Sequence, residues 1–279
     1  MIANTGLFSS RGMRLLAAGM VVVNGFFPAV WILFTSLKGE AELVRKPITW
    51  WPANPTLGNY VQAFTDQPLL KYLGNSLVVA LVATAASLLV AAFAAYAIAR
   101  LNLKRRQLIL TCIVASSMFP LVTLLVPIFE TMRALNLLNT YTALVLPYIV
   151  LNLPVCTLVL VSFFQSIPKD LENAAMIDGC TRMGALVRVV VPLAAPGVFT
   201  AGILAFVNAW DEFLLALSLN ASASMRTLPV GITLYLGEFT FPWPIISAAL
   251  IVAIVPIAVL IAVFQERVVG GLTQGGLKG

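Results

Sequence analysis

Glu172-Asn173-Ala174-Ala175-Met176-Ile177-Asp178-Gly179, answered by Val189-Val190-Val191-Pro192, is a water-compatible stretch set between two long apolar runs. Pro168 stands where a helix can begin, and Asp170 and Glu172 fall in the first turn, where acids complement the helix dipole. Gly179 supplies a left-handed stop about three turns later. A second short helix fits residues 181–190, with Met183, Leu186, Val187 and Val190 on one face, and Pro192 and Pro196 are expected to end it. Leu171, Ala174, Ala175 and Asp178 share a stripe of the first helix. Two adjacent alanines there leave a shallow surface that a partner's groove can approach. An amphipathic helix lying on the membrane without a partner has the same periodicity, so the pattern leaves both readings open.

The flanking runs decide the class. The chain has 279 residues, of which 60% are hydrophobic and 10% charged, whereas a soluble domain is about half apolar and about a quarter charged. An all-α integral membrane protein follows. Six runs reach the ~20 residues that a spanning helix needs: 13–36, 73–99, 108–130, 142–166, 196–219 and 243–265. They form a single transmembrane domain with a loop at 167–195 and a tail at 266–279. The first run is too long for a signal-peptide core and lacks a small-residue cleavage site, so it is expected to be retained. Ala91, Ala92, Ala94, Ala95, Ala97 and Ala99 make the second run a close-packing helix. Pro120, Pro127, Pro147 and Pro154 predict kinks in the third and fourth. Trp50 and Trp51, in the long loop 37–72, suit a lipid–water boundary.

The 17 basic and 11 acidic residues give a charge of +6. The basic residues sit at the ends of apolar runs, which marks membrane orientation and not a nucleic-acid footprint. With the N-terminus inside, eleven of the 17 lie in cytoplasmic segments, and the dense group from Arg100 to Arg106 dominates. Both termini and the 167–195 loop are thereby placed in the cytoplasm. Histidine is absent and Cys112, Cys156 and Cys180 are far apart, which argues against haem, zinc or redox chemistry. No Gly-x-x-x-x-Gly-Lys-Ser/Thr phosphate loop occurs, so this chain is expected to bind no ATP, and no clustered nucleophile and base suggests an enzyme.

Asp211 and Glu212 are the adjacent acids of the fifth run, where charge is costly unless it faces protein, water or the boundary. Asn208, Asp211 and Leu215 form one helical stripe there, with Trp210 alongside. Amides, carboxylates and an indole face suit a sugar, and the same groups suit helix packing near the outer end. Asn152, one turn from Cys156, carries the same two readings. The adjacent pair Asp211 and Glu212 argues against glycoside hydrolysis, since neighbouring residues on a helix point apart. An ion-coupled carrier would use Asp211 or Glu212 as its coupling site. Glu130 and Arg133 are expected to form a local ion pair.

The central stretch resembles the cytoplasmic Glu-Ala-Ala loop of permease subunits in binding-protein-dependent ABC importers. The pattern falls on Asn173, Ala174, Ala175, Gly179, Val189, Val191 and Pro192. Asn173 departs from the family's glutamate, and the neighbouring Glu172 is offered as its substitute. Asn75-Ser76-Leu77, Ala95-Tyr96-Ala97, Trp210-Asp211-Glu212-Phe213 and the tail 271–279 are similar to the carbohydrate branch, MalG-type. The resemblance implies the fold of a type I ABC importer permease in a bacterial or archaeal inner membrane. It implies a second homologous permease subunit, two ATP-binding subunits that hold the ATP and magnesium, and an extracytoplasmic sugar-binding protein. The cargo would be a sugar such as maltose or trehalose. Glu172, Asn173, Ala174, Ala175, Asp178, Gly179, Met183 and Pro192 would couple to the ATPase. Gln274, Gly275 and Gly276 would reach between its subunits, and the outer loop 220–242 would reach into the binding protein. Asn152, Asn208, Trp210, Asp211 and Glu212 are the candidate sugar path.

Overall fold

The computed structural model describes residues 10–237 and 241–276, without the side chains of residues 10, 11, 14 and 265–276. Among the described residues every regular element is helical. The chain runs through α1 (Ser10–Ser36), α2 (Glu40–Leu43), α3 (Gly58–Asp66), α4 (Leu69–Arg100), α5 (Arg106–Ser116), α6 (Leu121–Ala134) and α7 (Tyr141–Ser166). It continues through α8 (Lys169–Ile177), α9 (Arg182–Ala185), a π-helical turn (Leu186–Val190), α10 (Val191–Leu193), α11 (Ala195–Asp211), α12 (Leu214–Leu219), α13 (Leu228–Thr233) and α14 (Trp243–Gly276).

Among the described residues four helices are long and apolar enough to cross a membrane, at residues 15–36, 69–100, 141–166 and 243–264. Two bent pairs bring the number to six if each is one span: α5 with α6, bent by 89°, and the helical run from Arg182 to Leu193 with α11, bent by 80°. The third apolar run is therefore not one kinked helix. It breaks at 117–120, where Pro120 lacks an amide proton and takes the cap position of α6. Pro127, Pro147 and Pro154, by contrast, lie within continuous helices.

Two compact units emerge, residues 1–68 with 232–254 and residues 69–231 with 255–279. In the first, Asn59 ties the end of α1 by donating to the carbonyls of Ser36 and Lys38, both at 2.8 Å. Tyr60 meets the Ser36 hydroxyl at 2.8 Å, and Tyr235 donates to the Ala63 carbonyl. Lys38 is buried over the Trp31 ring, 5.2 Å from its centroid, and donates to the Thr49 carbonyl. Glu42 fastens the following loop, accepting from the Thr49 hydroxyl at 2.7 Å and the Ala53 amide at 2.9 Å. Those two donors, with the nearby Lys38 charge, hold its carboxyl below the usual range against a small opposing effect of burial. Trp50 and Trp51 are exposed and lean on Trp31 and Phe34, the amphipathic placement that a membrane boundary favours.

The second unit has its core where α4, α7 and α11 pack. Ala91, Ala95, Cys156, Leu160, Phe164, Ala201 and Ala205 are buried together there. Small side chains set this geometry, since they let helix backbones approach closely where no hydrophobic effect drives association. At Gly197 a Cβ would lie 2.3 Å from the Phe163 ring, so only glycine fits.

Candidate functional site

Two polar places stand out in the second unit, an elbow of short helices and a break in the fifth apolar run. The elbow begins with α8. Pro168 occupies its cap position and Asp170 and Glu172 its first turn. It ends at Gly179, whose φ of +92° is the left-handed conformation that glycine adopts without a Cβ penalty. The amides of Asp178, Gly179 and Cys180 close the end by donating to Ala174, Met176 and Ala175. Thr181 then caps α9, its hydroxyl accepting from the Gly184 amide at 3.1 Å.

The side chains of this elbow divide into two sets. Leu171, Asn173, Ala174, Asp178, Met183 and Pro192 are exposed, Ala175 is half-buried, and Ile177 is 86% exposed. Glu172 points the other way. Its side chain is buried against Arg100, whose Nε lies 3.2 Å from Oε2. Tyr96 donates to the other carboxylate oxygen. Glu172 therefore does not stand beside Asn173 on the presented surface, which corrects its proposed substitution for the family's glutamate. The reason is geometric, since adjacent helical residues are rotated by about 100°.

The second elbow helix also differs from its reading. Leu186 and Val190 are buried, but Met183 and Val187 are exposed, and the π-helical turn at Leu186–Val190 takes Val187 out of a 3.6-residue register. Pro192 and Pro196 do not end the segment. Each sits in a first helical turn, where a missing amide proton is harmless, and the chain bends at Ala194.

The fifth run does not continue as one helix to residue 219. α11 stops at Asp211 and the chain restarts at Leu214, so the expected stripe of Asn208, Asp211 and Leu215 is broken and Leu215 is buried. Glu212 spans the gap. It accepts from the amides of Leu215 at 2.8 Å and Ala216 at 3.1 Å, and from the Tyr148 hydroxyl at 2.5 Å. The acid in this apolar run is thus a helix cap that satisfies otherwise orphaned donors. Trp210 is 2% exposed and stacks on Phe206 at 5.6 Å, so its indole is packed and offers no open face. Asp211 is exposed.

A cavity of about 440 Å³ opens beside the break, lined by Ser116, Ser117, Phe119, Tyr148, Asn152, Asn208 and Glu212 among others. Asn208 donates to Asn152 Oδ1 at 2.9 Å, and the nearly buried Asn152 (2% exposed) donates to the Ala205 carbonyl at 3.4 Å. The structure thus brings Asn152, Asn208 and Glu212 together and leaves Trp210 and Asp211 out of the lining. Tyr148, Ser116 and Ser117 were missed by sequence reasoning. The serines directly precede the Pro120 break, which was the available signal. Glu130 and Arg133 do pair, 3.7 Å apart on an exposed turn. Gln274, Gly275 and Gly276 lie on the backbone of α14, but their side chains and residues 277–279 fall outside the described residues.

Several apolar helices, a polar elbow and a polar break define a multi-pass helical membrane protein. Residues 57–273 match the family described as binding-protein-dependent transport system inner membrane component, and the chain belongs to that family. It is 71% identical over 275 residues to the sulfoquinovosyl glycerol transport system permease protein SmoH of Agrobacterium fabrum, covering 99% of this chain and 96% of that one. It is 35% identical over 272 residues to the trehalose/maltose transport system permease protein MalG of Thermococcus litoralis, covering 96% and 97%. It is 40% identical over 262 residues to the trehalose transport system permease protein SugB of Mycobacterium tuberculosis, covering 93% and 95%. Its fold superimposes with a TM-score of 0.78, at 19% identity, on a chain of a bacterial ABC transporter involved in the import of the acidic polysaccharide alginate, covering 94% and 99%. The chain is thus a non-catalytic permease component, and ATP hydrolysis falls to a separate subunit.

Proposed function

We propose that this chain is one of two permease subunits of an ATP-driven glycoside importer whose cargo is a sulfonated glycoside of the sulfoquinovosyl glycerol type. The identity of 71% over 99% of the chain carries this reading, against 35–40% to the maltose and trehalose proteins. It displaces maltose or trehalose as the expected cargo. The cavity supports a polyol ligand, because its amides and hydroxyls match sugar hydroxyl groups. Glu212 already accepts three hydrogen bonds, which leaves it little capacity as a coupling base for an ion-driven carrier. The cavity lining includes no lysine or arginine among the described residues, so it suits the hydroxyl-bearing end of the glycoside and not the sulfonate.

The cytoplasmic elbow docks the ATPase through the exposed stripe around Leu171, Ala174 and Asp178, with Met183 and Pro192 beside it. Asn173 contributes hydrogen bonding there without charge. The tail around Gln274, Gly275 and Gly276 contacts the same partner, and both termini lie in the cytoplasm. A homologous permease subunit completes the pathway, and an extracytoplasmic binding protein delivers the cargo. The test is uptake of labelled sulfoquinovosyl glycerol, maltose and trehalose by the reconstituted complex with ion gradients collapsed. ATP-dependent uptake of the sulfonated glycoside alone is expected. Uptake of maltose or trehalose in its place overturns the cargo, and uptake that stops without an ion gradient overturns the ATP-driven mechanism.

A further inference from the structure

The cytoplasmic end of α4 meets three other elements at one buried junction. The side chains of Arg100 and Glu172 are 4% and 9% exposed, and Arg100 Nε lies 3.2 Å from Glu172 Oε2, close enough to pair although not aligned as a hydrogen bond. Arg100 Nη2 also donates at 2.9 Å to the carbonyl of Ile167, the residue that ends α7. Tyr96, one turn earlier on α4, donates to Glu172 Oε1, and its oxygen lies 3.4 Å from the carbonyl of Arg182 at the start of α9. Side chains of one spanning helix therefore hold the end of α7, the first turn of α8 and the first residue of α9.

The covalent connections of the elbow are bends. Gly179 at φ +92° separates α8 from α9, and Ala194 is the bend between α10 and α11, where the helical directions differ by 80°. A backbone bend yields by small torsional changes. A buried ion pair resists separation, because its attraction acts in a low effective dielectric and each partner left alone is an uncompensated charge.

We infer that Tyr96, Arg100 and Glu172 clamp the elbow to α4, so that displacement of the elbow enters the spanning bundle through α4 and not along the chain through Ala194 into α11. Glu172 is then a positioning residue that acts through Arg100 and touches no ATPase. This inference rests on the proposed ATPase docking for its motive force, but the clamp itself is a property of this chain. It also gives Arg100 a structural partner, where the sequence presents it as one more charge in an orientation cluster.

The experiment uses spin-label distances in the assembled transporter, with Cys112 and Cys180 replaced by serine. One label replaces exposed Lys169 on α8, and the second replaces either exposed Leu89 on α4 or exposed Leu204 on α11. The distance from 169 to 89 is expected to stay the same between nucleotide-free and ATP-bound states, while the distance from 169 to 204 shifts. A 169–89 distance that shifts as much as 169–204 overturns the clamp. In Glu172→Gln the 169–89 distribution is expected to broaden, and the cargo imported per ATP hydrolysed to fall roughly fivefold or more, the range of an ordinary coupling free energy. An unbroadened 169–89 distribution in Glu172→Gln, measured on the isolated full chain without nucleotide, also refutes the clamp. That arm needs no ATPase, so a failure of ATPase docking, seen as nucleotide changing no distance, is told apart from a failure of the clamp.

Discussion

Glu212→Ala is expected to be among the more destabilising single changes in the membrane region. The carboxylate takes hydrogen bonds from the Leu215 amide at 2.8 Å, the Ala216 amide at 3.1 Å and the Tyr148 hydroxyl at 2.5 Å. Truncation orphans two backbone donors of α12 and one phenol at once. Loss of a helix cap costs about 1 kcal/mol, and a hydrogen bond to a charged group contributes about 1.5–3 kcal/mol. Glu212 is half-buried and lines a cavity that water can enter, so the lower ends apply and the expected loss is about 2–3 kcal/mol. Glu212→Gln retains one acceptor oxygen and should lose about half of that. Unfolding of the purified chain in mixed micelles, titrated with a denaturing detergent, measures both. Tyr148→Phe in a double-mutant cycle should reveal a coupling of about 1 kcal/mol with Glu212. A Glu212→Ala chain within about 0.5 kcal/mol of the parent, the range of an uninvolved surface residue, would refute the capping role.

Further outcomes follow from other positions. Gly179→Leu forces a side chain into the left-handed region at φ +92°, a strain of about 1–2 kcal/mol; the cargo imported per ATP should fall, and coupled uptake at the parent level would count against the elbow's role. Trp210→Ala empties a buried stacked site and should cost about 3–5 kcal/mol in the same unfolding assay. Asp211→Ala, at an exposed position outside the cavity lining, should stay within about 0.5 kcal/mol and leave the apparent KM for cargo unchanged; a raised KM in a variant that folds normally would return Asp211 to the path. Glu42 has a lowered folded-state pKa, so its contribution to the loop at 38–53 is present above the ordinary carboxylate pKa and lost as pH falls through the lowered one. Protection of that loop against amide exchange, relative to the intrinsic rate at each pH, should fall only in acid, and Glu42→Gln should abolish that fall; protection that drops equally in the variant would point to another group.

The first elbow helix was readable because its signals are local. Pro168 can start a helix, two acids complement its first turn, and Gly179 can take the positive φ that ends it. The second elbow helix was misread for an equally physical reason. The π-helical turn at Leu186–Val190 inserts a residue into the register, and a 3.6-residue template then assigns Val187 to the wrong face. In the fifth run the pair Asp211-Glu212 was visible, but an apolar run longer than a span gives no hint that the helix stops inside it. Glu212 could have been recognised as a cap for a restarting helix, three and four residues before the amides it accepts from. Tyr148 as its partner could not, because that contact joins residues 64 apart in the chain.

Composition and periodicity by themselves determined that the chain is helical, lies in a membrane and carries a polar elbow between spans, because apolar run length and helix punctuation act within one or two turns of chain. The direction in which Glu172 faces, the packing of Trp210 against Phe206, and the meeting of Asn152 with Asn208 were decided only by the tertiary structure. Each depends on which distant helix arrives beside a given face. In lipid that choice is made by close contact of small side chains and by pairing of the few buried polar groups, neither of which is written in any local stretch.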